Sequence, residues 1–167
     1  MYNICTKNSI DNKGLILLAF ICIFALLAFF LVRIVKRYKW SLYRIDRMNG
    51  HSFEEFMKEV YTLLGYKVEQ TKKSGDQGID LIIKKHFKKI GVQLKRYSSA
   101  VGNFAVQEAV AGKRFYKLDK VCVLTNKSFT KSAIELAKAN KVELLCRNDL
   151  KILLQKAKRK AKKGANK

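Results

Sequence analysis

Acidic side chains are scarce in this sequence. Its 167 residues hold 13 Asp and Glu against 35 Lys and Arg, a formal net charge of +22. Such an excess points to a polyanionic partner, either nucleic acid or an anionic membrane surface. Proline is absent altogether, and nothing about function follows from that absence. The 2 histidines, His51 and His86, stand alone, and the 4 cysteines form no CxxC and no Cys/His pair. The sequence therefore offers no structural zinc site. Cys122 and Cys146 sit in apolar, strand-like runs, where cysteine acts as a small buried hydrophobe. This usage agrees with a cytoplasmic setting. No internal repeat is visible. At 49% hydrophobic residues the chain is no disordered basic tail, and its length holds one ordinary domain plus extras.

The charge is unevenly spread. Residues 33–47 carry 6 basic side chains and one acid, Asp46, while residues 155–167 carry 7 basic side chains and no acid. Between them, residues 51–154 carry 20 basic and 11 acidic side chains, a net +9.

One run has no charge at all. "LILLAFICIFALLAFFLV", residues 15–32, is 18 residues long. At 1.5 Å per residue that is about the length needed to cross a hydrocarbon core of roughly 30 Å. A secretory signal has a shorter apolar region followed by a small-residue cleavage site. Here the bulky, basic "RIVKRYKW" follows, which favours a retained anchor over a cleaved signal. Lys7 and Lys13 precede the run, offset in part by Asp11. Arg33, Lys36, Arg37, Lys39, Arg44 and Arg47 follow it. The positive-inside rule then puts the C-terminal side in the cytoplasm, with Tyr38 and Trp40 suited to the interface. The same basic residues suit anionic lipid head groups.

The remainder alternates between two periods. "HSFEEFMKEVYTLLGY" has helical spacing, with an apolar stripe of Phe53, Phe56, Met57, Val60 and Leu64. Ser52 fits the N-cap with Glu55 as its capping-box partner, and Gly65 fits the terminator. "YKVEQT", "IDLII" and "KIGVQLKRY" alternate as strands, the last two joined by a polar turn near "KKHFKK". A helix at "NFAVQEAVAGKRFYKL", a strand at "KVCVLT", a helix at "KSAIELAKAN", a strand at "KVELLC" and a closing helix at "NDLKILLQKAKRKAKK" complete the order αβββαβαβα. The fold class is α/β, a mixed sheet with helices on both faces.

The stretch "SGDQGIDLIIKKHFKKIGVQLKRY" carries the chemistry. Gln93 and Lys95 share one strand face while Val92 and Leu94 share the other, and Asp80 falls on the matching face of the preceding strand. If those strands pair as a hairpin, a carboxylate, an amide and an ammonium meet at the edge of a dry sheet. Burying them unpaired is costly, so they read as a set that shares a ligand. Magnesium suits it, because that ion takes oxygen donors, keeps waters and often uses one or two carboxylates plus a substrate phosphate. Asp80 and Gln93 are the metal-ligand candidates, and Lys95 can steer water or stabilise phosphate charge. Glu54, beside the helical stripe, can reach the same cluster. Asp76 serves either the bend or the site.

These residues carry a family resemblance. "FEEFMKEVYTLLGYKVEQTKKSGDQGIDLIIKK", "VQLKRY", "AVQEAVAGKRFY" and "VLTNKSFTKSAIELAKANKVELL" resemble the Mrr-type restriction endonuclease catalytic domain, of the PD-(D/E)xK nuclease superfamily. The resemblance runs from Ser52 to about Leu154. It implies a restriction-endonuclease-like fold, a Mg2+ or Mn2+ cofactor, and Asp80, Gln93, Lys95 and Glu54 as the catalytic set. Gln93 stands where the superfamily usually has an acid, as in the Mrr branch. Gln107 is implied as a supporting residue. The division expected is then an N-terminal segment at 1–14, a transmembrane helix at 15–35, a basic juxtamembrane linker at 36–50, a nuclease domain at 51–154 and a basic tail at 155–167.

Three functions fit. One is a membrane-anchored, metal-dependent endonuclease on double-stranded DNA, including restriction of foreign or modified DNA. Another is a catalytically weak module that tethers DNA to the membrane. The third is a structure-selective, junction-type nuclease. The intact Asp80, Gln93 and Lys95 set favours chemistry. A homodimer is a further candidate assembly, and no separate DNA-specificity domain is recognisable.

Overall fold

Apolar side chains on both faces of the central strands require cover on both sides of the sheet. The computed structural model, which describes residues 12–71 and 77–164, supplies that cover with helices. The elements are α1 (Asn12–Lys39), α2 (Leu42–Asp46), α3 (Gly50–Leu63), β1 (Lys67–Gln70), β2 (Leu81–Lys85), β3 (Lys88–Lys95), α4 (Asn103–Phe115), β4 (Lys120–Thr125), α5 (Lys131–Asn140), β5 (Glu143–Leu145) and α6 (Arg147–Gly164). The chain divides into two units between Lys39 and Trp40. The first contains α1, whose segment Gly14–Val35, 22 residues, is long and apolar enough to cross a membrane and has no buried part.

In the second unit the five strands lie in the order β1-β2-β3-β4-β5. β1, β2 and β3 form an antiparallel meander, and β3, β4 and β5 run parallel. Parallel neighbours need crossovers, and α4 and α5 provide them. One sheet face buries Leu81, Ile83, Val92, Leu94, Cys122 and Leu124 against Phe53, Phe56, Met57 and Val60 of α3 and Leu150 and Leu154 of α6. The other buries Ile82, Val121 and Val123 against Ala105, Val106 and Ala109 of α4 and Ala133 and Ala137 of α5. Strand β4 is buried on both faces, which accounts for its unbroken apolar run "VCVLT". Cys122 is one of these core residues, and burial, followed by nearby Glu143, pushes its thiol up to about 12. It stays a protonated hydrophobe.

Three sequence expectations change. Asn49, not Ser52, caps α3: its side chain accepts the Ser52 N–H at 2.7 Å. Asn is as good a cap as Ser, and starting there adds a hydrogen-bonded turn. Glu55 is thereby released from capping and lies 3.9 Å from Lys58, one turn on. The segment read as a linker at 36–50 contains α2, and its Ile45 is fully buried in the core. The segment read as a tail at 155–167 continues α6 as far as Gly164, with Ala157 fully buried and Lys160 donating to the Leu64 carbonyl at 3.0 Å.

A polar network ties α2 to the sheet. Both Asp46 carboxylate oxygens accept from Arg147 at 2.8 Å. Asn126, fully buried after β4, donates to Asp46 Oδ1 at 2.8 Å and accepts from the Tyr97 N–H at 2.9 Å. The Arg147 hydrogen bond, opposed by burial and aided by Asn126, holds the Asp46 carboxyl below the usual carboxylate range. Such a group stabilises the fold at neutral pH, and the contribution is lost as pH falls through its lowered folded-state pKa. Asp46→Ala is expected to cost about 1–2 kcal/mol at pH 7, modest because both partners are partly exposed and screened. Denaturant midpoints for both proteins should converge as the medium is made acidic.

Candidate active site

The site begins with strand register. Leu81 pairs with Val92, and Lys85 with Lys88 across a tight turn at His86 and Phe87. The Asp80 N–H donates to the Val92 carbonyl at 3.1 Å, which carries the hydrogen bonding one residue past β2 and holds Asp80 against β3. Asp80 Oδ2 accepts the Leu94 N–H at 2.6 Å, so a carboxylate holds the ladder at this point. Both polar residues are buried, Asp80 at 8% exposure and Gln93 at 4%. Val92 and Leu94 lie in the core with α3. By strand alternation Gln93 and Lys95 lie on the opposite face, under α4.

Helix α4 comes unusually close to the bend that leads into β2. Gly78 has φ +80°, and a Cβ there would sit 2.5 Å from the Glu108 carbonyl oxygen. A Cβ on Gly112 would sit 2.6 Å from the Gln77 carbonyl oxygen. Glycine at both positions allows the approach, and small residues at Ala105 and Ala109 extend the same stripe. The result is a contact between elements: Glu108 Oε2 lies 2.7 Å from Lys95 Nζ, with side-chain exposures of 25% and 14%.

Burial by itself lowers the Lys95 pKa. The hydrogen-bonding and charge of Glu108, aided by Tyr97 and Asp80, more than offset that, so the ammonium titrates above the ordinary lysine value. Lys95 is thus cationic at neutral pH and within electrostatic reach of both carboxylates. Among the described residues, Gln93 Oε1 is buried without a hydrogen-bond donor. Glu108 Oε2 is met by the Lys95 ammonium at 2.7 Å.

An orphaned amide oxygen beside a buried carboxylate fits a hard cation, which takes oxygen donors. Among the described residues no three His, Cys, Asp or Glu side chains converge on a metal position, so the Gln93 amide has to count as a donor. Asp80 and Gln93 are the residues that could hold the ion.

The other candidates are placed differently. Glu54 is carried by α3, whose apolar side packs on the far face of the sheet, and it lies 3.8 Å from His51 Nδ1. Gln107 is exposed on α4. Asp76 lies outside the described residues. Glu108 has no place among the site residues expected from the sequence. Its signal was positional: it falls three residues after Ala105 and four before Gly112, on the stripe where α4 is closest to the sheet.

The mixed five-stranded sheet flanked by helices has the architecture of a restriction-endonuclease-like fold, with Asp80 entering β2 and Gln93 and Lys95 on β3. The family model for the Mrr catalytic domain, described as a restriction endonuclease, matches residues 45–154. The chain belongs to that family. Among solved structures, the MspJI restriction endonuclease in complex with a 27-mer oligonucleotide is similar at TM-score 0.52 and 20% identity, covering 74% of this chain and 31% of that one. The DNA modification-dependent restriction endonuclease AspBHI is similar at TM-score 0.52 and 16% identity, covering 78% of this chain and 39% of that one. The chain thus spans well under half the length of either, and at these identities the likeness concerns the fold. No curated protein matches the chain.

The electrostatics make a direct prediction. Glu108→Gln removes the charge that offsets burial, so the Lys95 pKa should fall in metal-free protein. Nitrogen-15 chemical shifts of Lys95 Nζ against pH check this, and an unchanged titration would contradict the pairing.

Proposed function

We propose that this protein is a membrane-anchored, divalent-metal-dependent endonuclease that hydrolyses phosphodiester bonds of double-stranded DNA, with Asp80, Gln93 and Lys95 as its catalytic set. The observation that carries the reading is the buried Gln93 Oε1 without a donor, next to Asp80 and Lys95. Mg2+ or Mn2+, when bound, supplies positive charge against the phosphate and lowers the pKa of bound water. Asp80, anchored by the Leu94 N–H, presents a carboxylate whose position is set by the sheet. Gln93 presents its amide oxygen from the neighbouring strand. Lys95, kept cationic, orients the attacking water or stabilises the phosphate charge as it develops. The oligonucleotide bound by MspJI and the modification dependence of AspBHI support DNA, including foreign or modified DNA, as the substrate.

Glu54 and Gln107 belong to this proposal as helpers, and a second copy of the chain as an assembly partner. The apolar helix is read as a single-pass anchor with the nuclease domain on the cytoplasmic side, because the basic cluster follows the apolar run. The Arg33–Arg47 cluster then meets anionic lipid head groups.

Asp80→Ala or Lys95→Ala in the full chain, purified in detergent, should abolish magnesium-dependent cleavage of duplex DNA while native circular dichroism is retained. Wild-type rates from either variant would remove the assignment. Glu54→Gln should reduce cleavage more than Glu55→Gln, since Glu54 is the less exposed of the two.

The division of charge is tested separately. DNA affinity should fall steeply with salt, by a log–log slope of about −0.9 per phosphate contacted, and changing the exposed Lys156, Arg159, Lys162 and Lys163 to Gln should flatten it. A topology reporter placed after Lys167 should register the cytoplasm. Loss of vesicle binding alone in that variant, with the DNA salt slope intact, would assign those charges to the membrane.

A further inference from the structure

We propose that Glu108 is the second anionic ligand of the divalent cation, delivered by α4 in place of the carboxylate that position 93 lacks. The proposal rests on the nuclease reading above and deepens it. A neutral amide at position 93 leaves Asp80 as the sole charged donor on the two strands, a lean set for an ion that usually draws on one or two carboxylates. The missing charge is present nearby, on a different element. Lys95 Nζ lies 2.7 Å from Glu108 Oε2, so α4 brings a carboxylate to the strand that carries Gln93.

One buried oxygen in this region lacks a donor among the described residues: Gln93 Oε1, on a residue 4% exposed. A buried acceptor with empty lone pairs costs free energy, and a cation on this sheet face would fill it. Glu108 stands at the same face, held there by its contact with Lys95. The backbone supports the same assignment. Gly78 meets α4 at the Glu108 backbone itself, so the bend that introduces Asp80 also fixes the helix position carrying Glu108. Glu108 would then be shared between a bound cation and Lys95, leaving Lys95 ammonium protons for a phosphate oxygen.

The test measures Mn2+ binding to the full chain in detergent without DNA, from the electron paramagnetic resonance signal of the free ion. Glu108→Gln should weaken Mn2+ binding about tenfold or more, as Asp80→Asn does, while Glu135→Gln on α5 leaves it unchanged. Gln93→Glu added to Glu108→Gln should restore binding, because the carboxylate returns to the strand. Should Glu108→Gln lose its native circular dichroism, Glu108→Asp takes its place: it keeps the charge, withdraws it by one methylene, and should still weaken binding. Unchanged Mn2+ affinity in the folded Glu108 variant, with affinity lost in Asp80→Asn, would overturn the proposal and leave the nuclease reading standing. No Mn2+ binding by the wild-type chain would overturn both.

Discussion

The pairing of Leu81 with Val92 is the constraint on which the rest of the structure depends. Strand side chains alternate, so this one register places Leu81, Ile83, Val92 and Leu94 under α3 and turns Gln93 and Lys95 the other way. A slip of one residue would bury a lysine among the phenylalanines of α3 and expose the apolar set. The hydrophobic cost of that slip protects the polar cluster. Asp80 adds to the pinning by accepting the Leu94 N–H, so a proposed ligand also ends a ladder.

The second layer of the site comes from close packing. α4 can lie near the bend before β2 because Gly78 and Gly112 carry no Cβ. That approach converts a helical glutamate into the partner of a strand lysine. The glycines of "GDQGID" and "VAGKRF" therefore act on the electrostatics of Lys95 at one remove, by setting the distance at which Glu108 meets it.

Positive charge is carried by both units. The basic side chains of α6 belong to the folded domain, since Ala157 is buried and Lys160 reaches the Leu64 carbonyl. A rigid basic helix presents its charges in a fixed arrangement, which a flexible tail does not. DNA held by such contacts is positioned without being read for sequence.

Alternation and helical spacing were enough to lay out the strands and helices from α3 to α6, the hairpin turn near His86, and the strand face shared by Gln93 and Lys95, because these follow from period and chain neighbours alone. The long uncharged run of α1 was legible for the same reason. The cap of α3 was misplaced because Asn49 and Ser52 are both good caps, and local chemistry does not choose between them. Tertiary structure decided the rest. Burial of Ile45 and Ala157 drew the supposed linker and tail into the domain. Glu108 met Lys95 only through the approach of two elements, a distance set by absent side chains at Gly78 and Gly112 that no periodicity along the chain encodes.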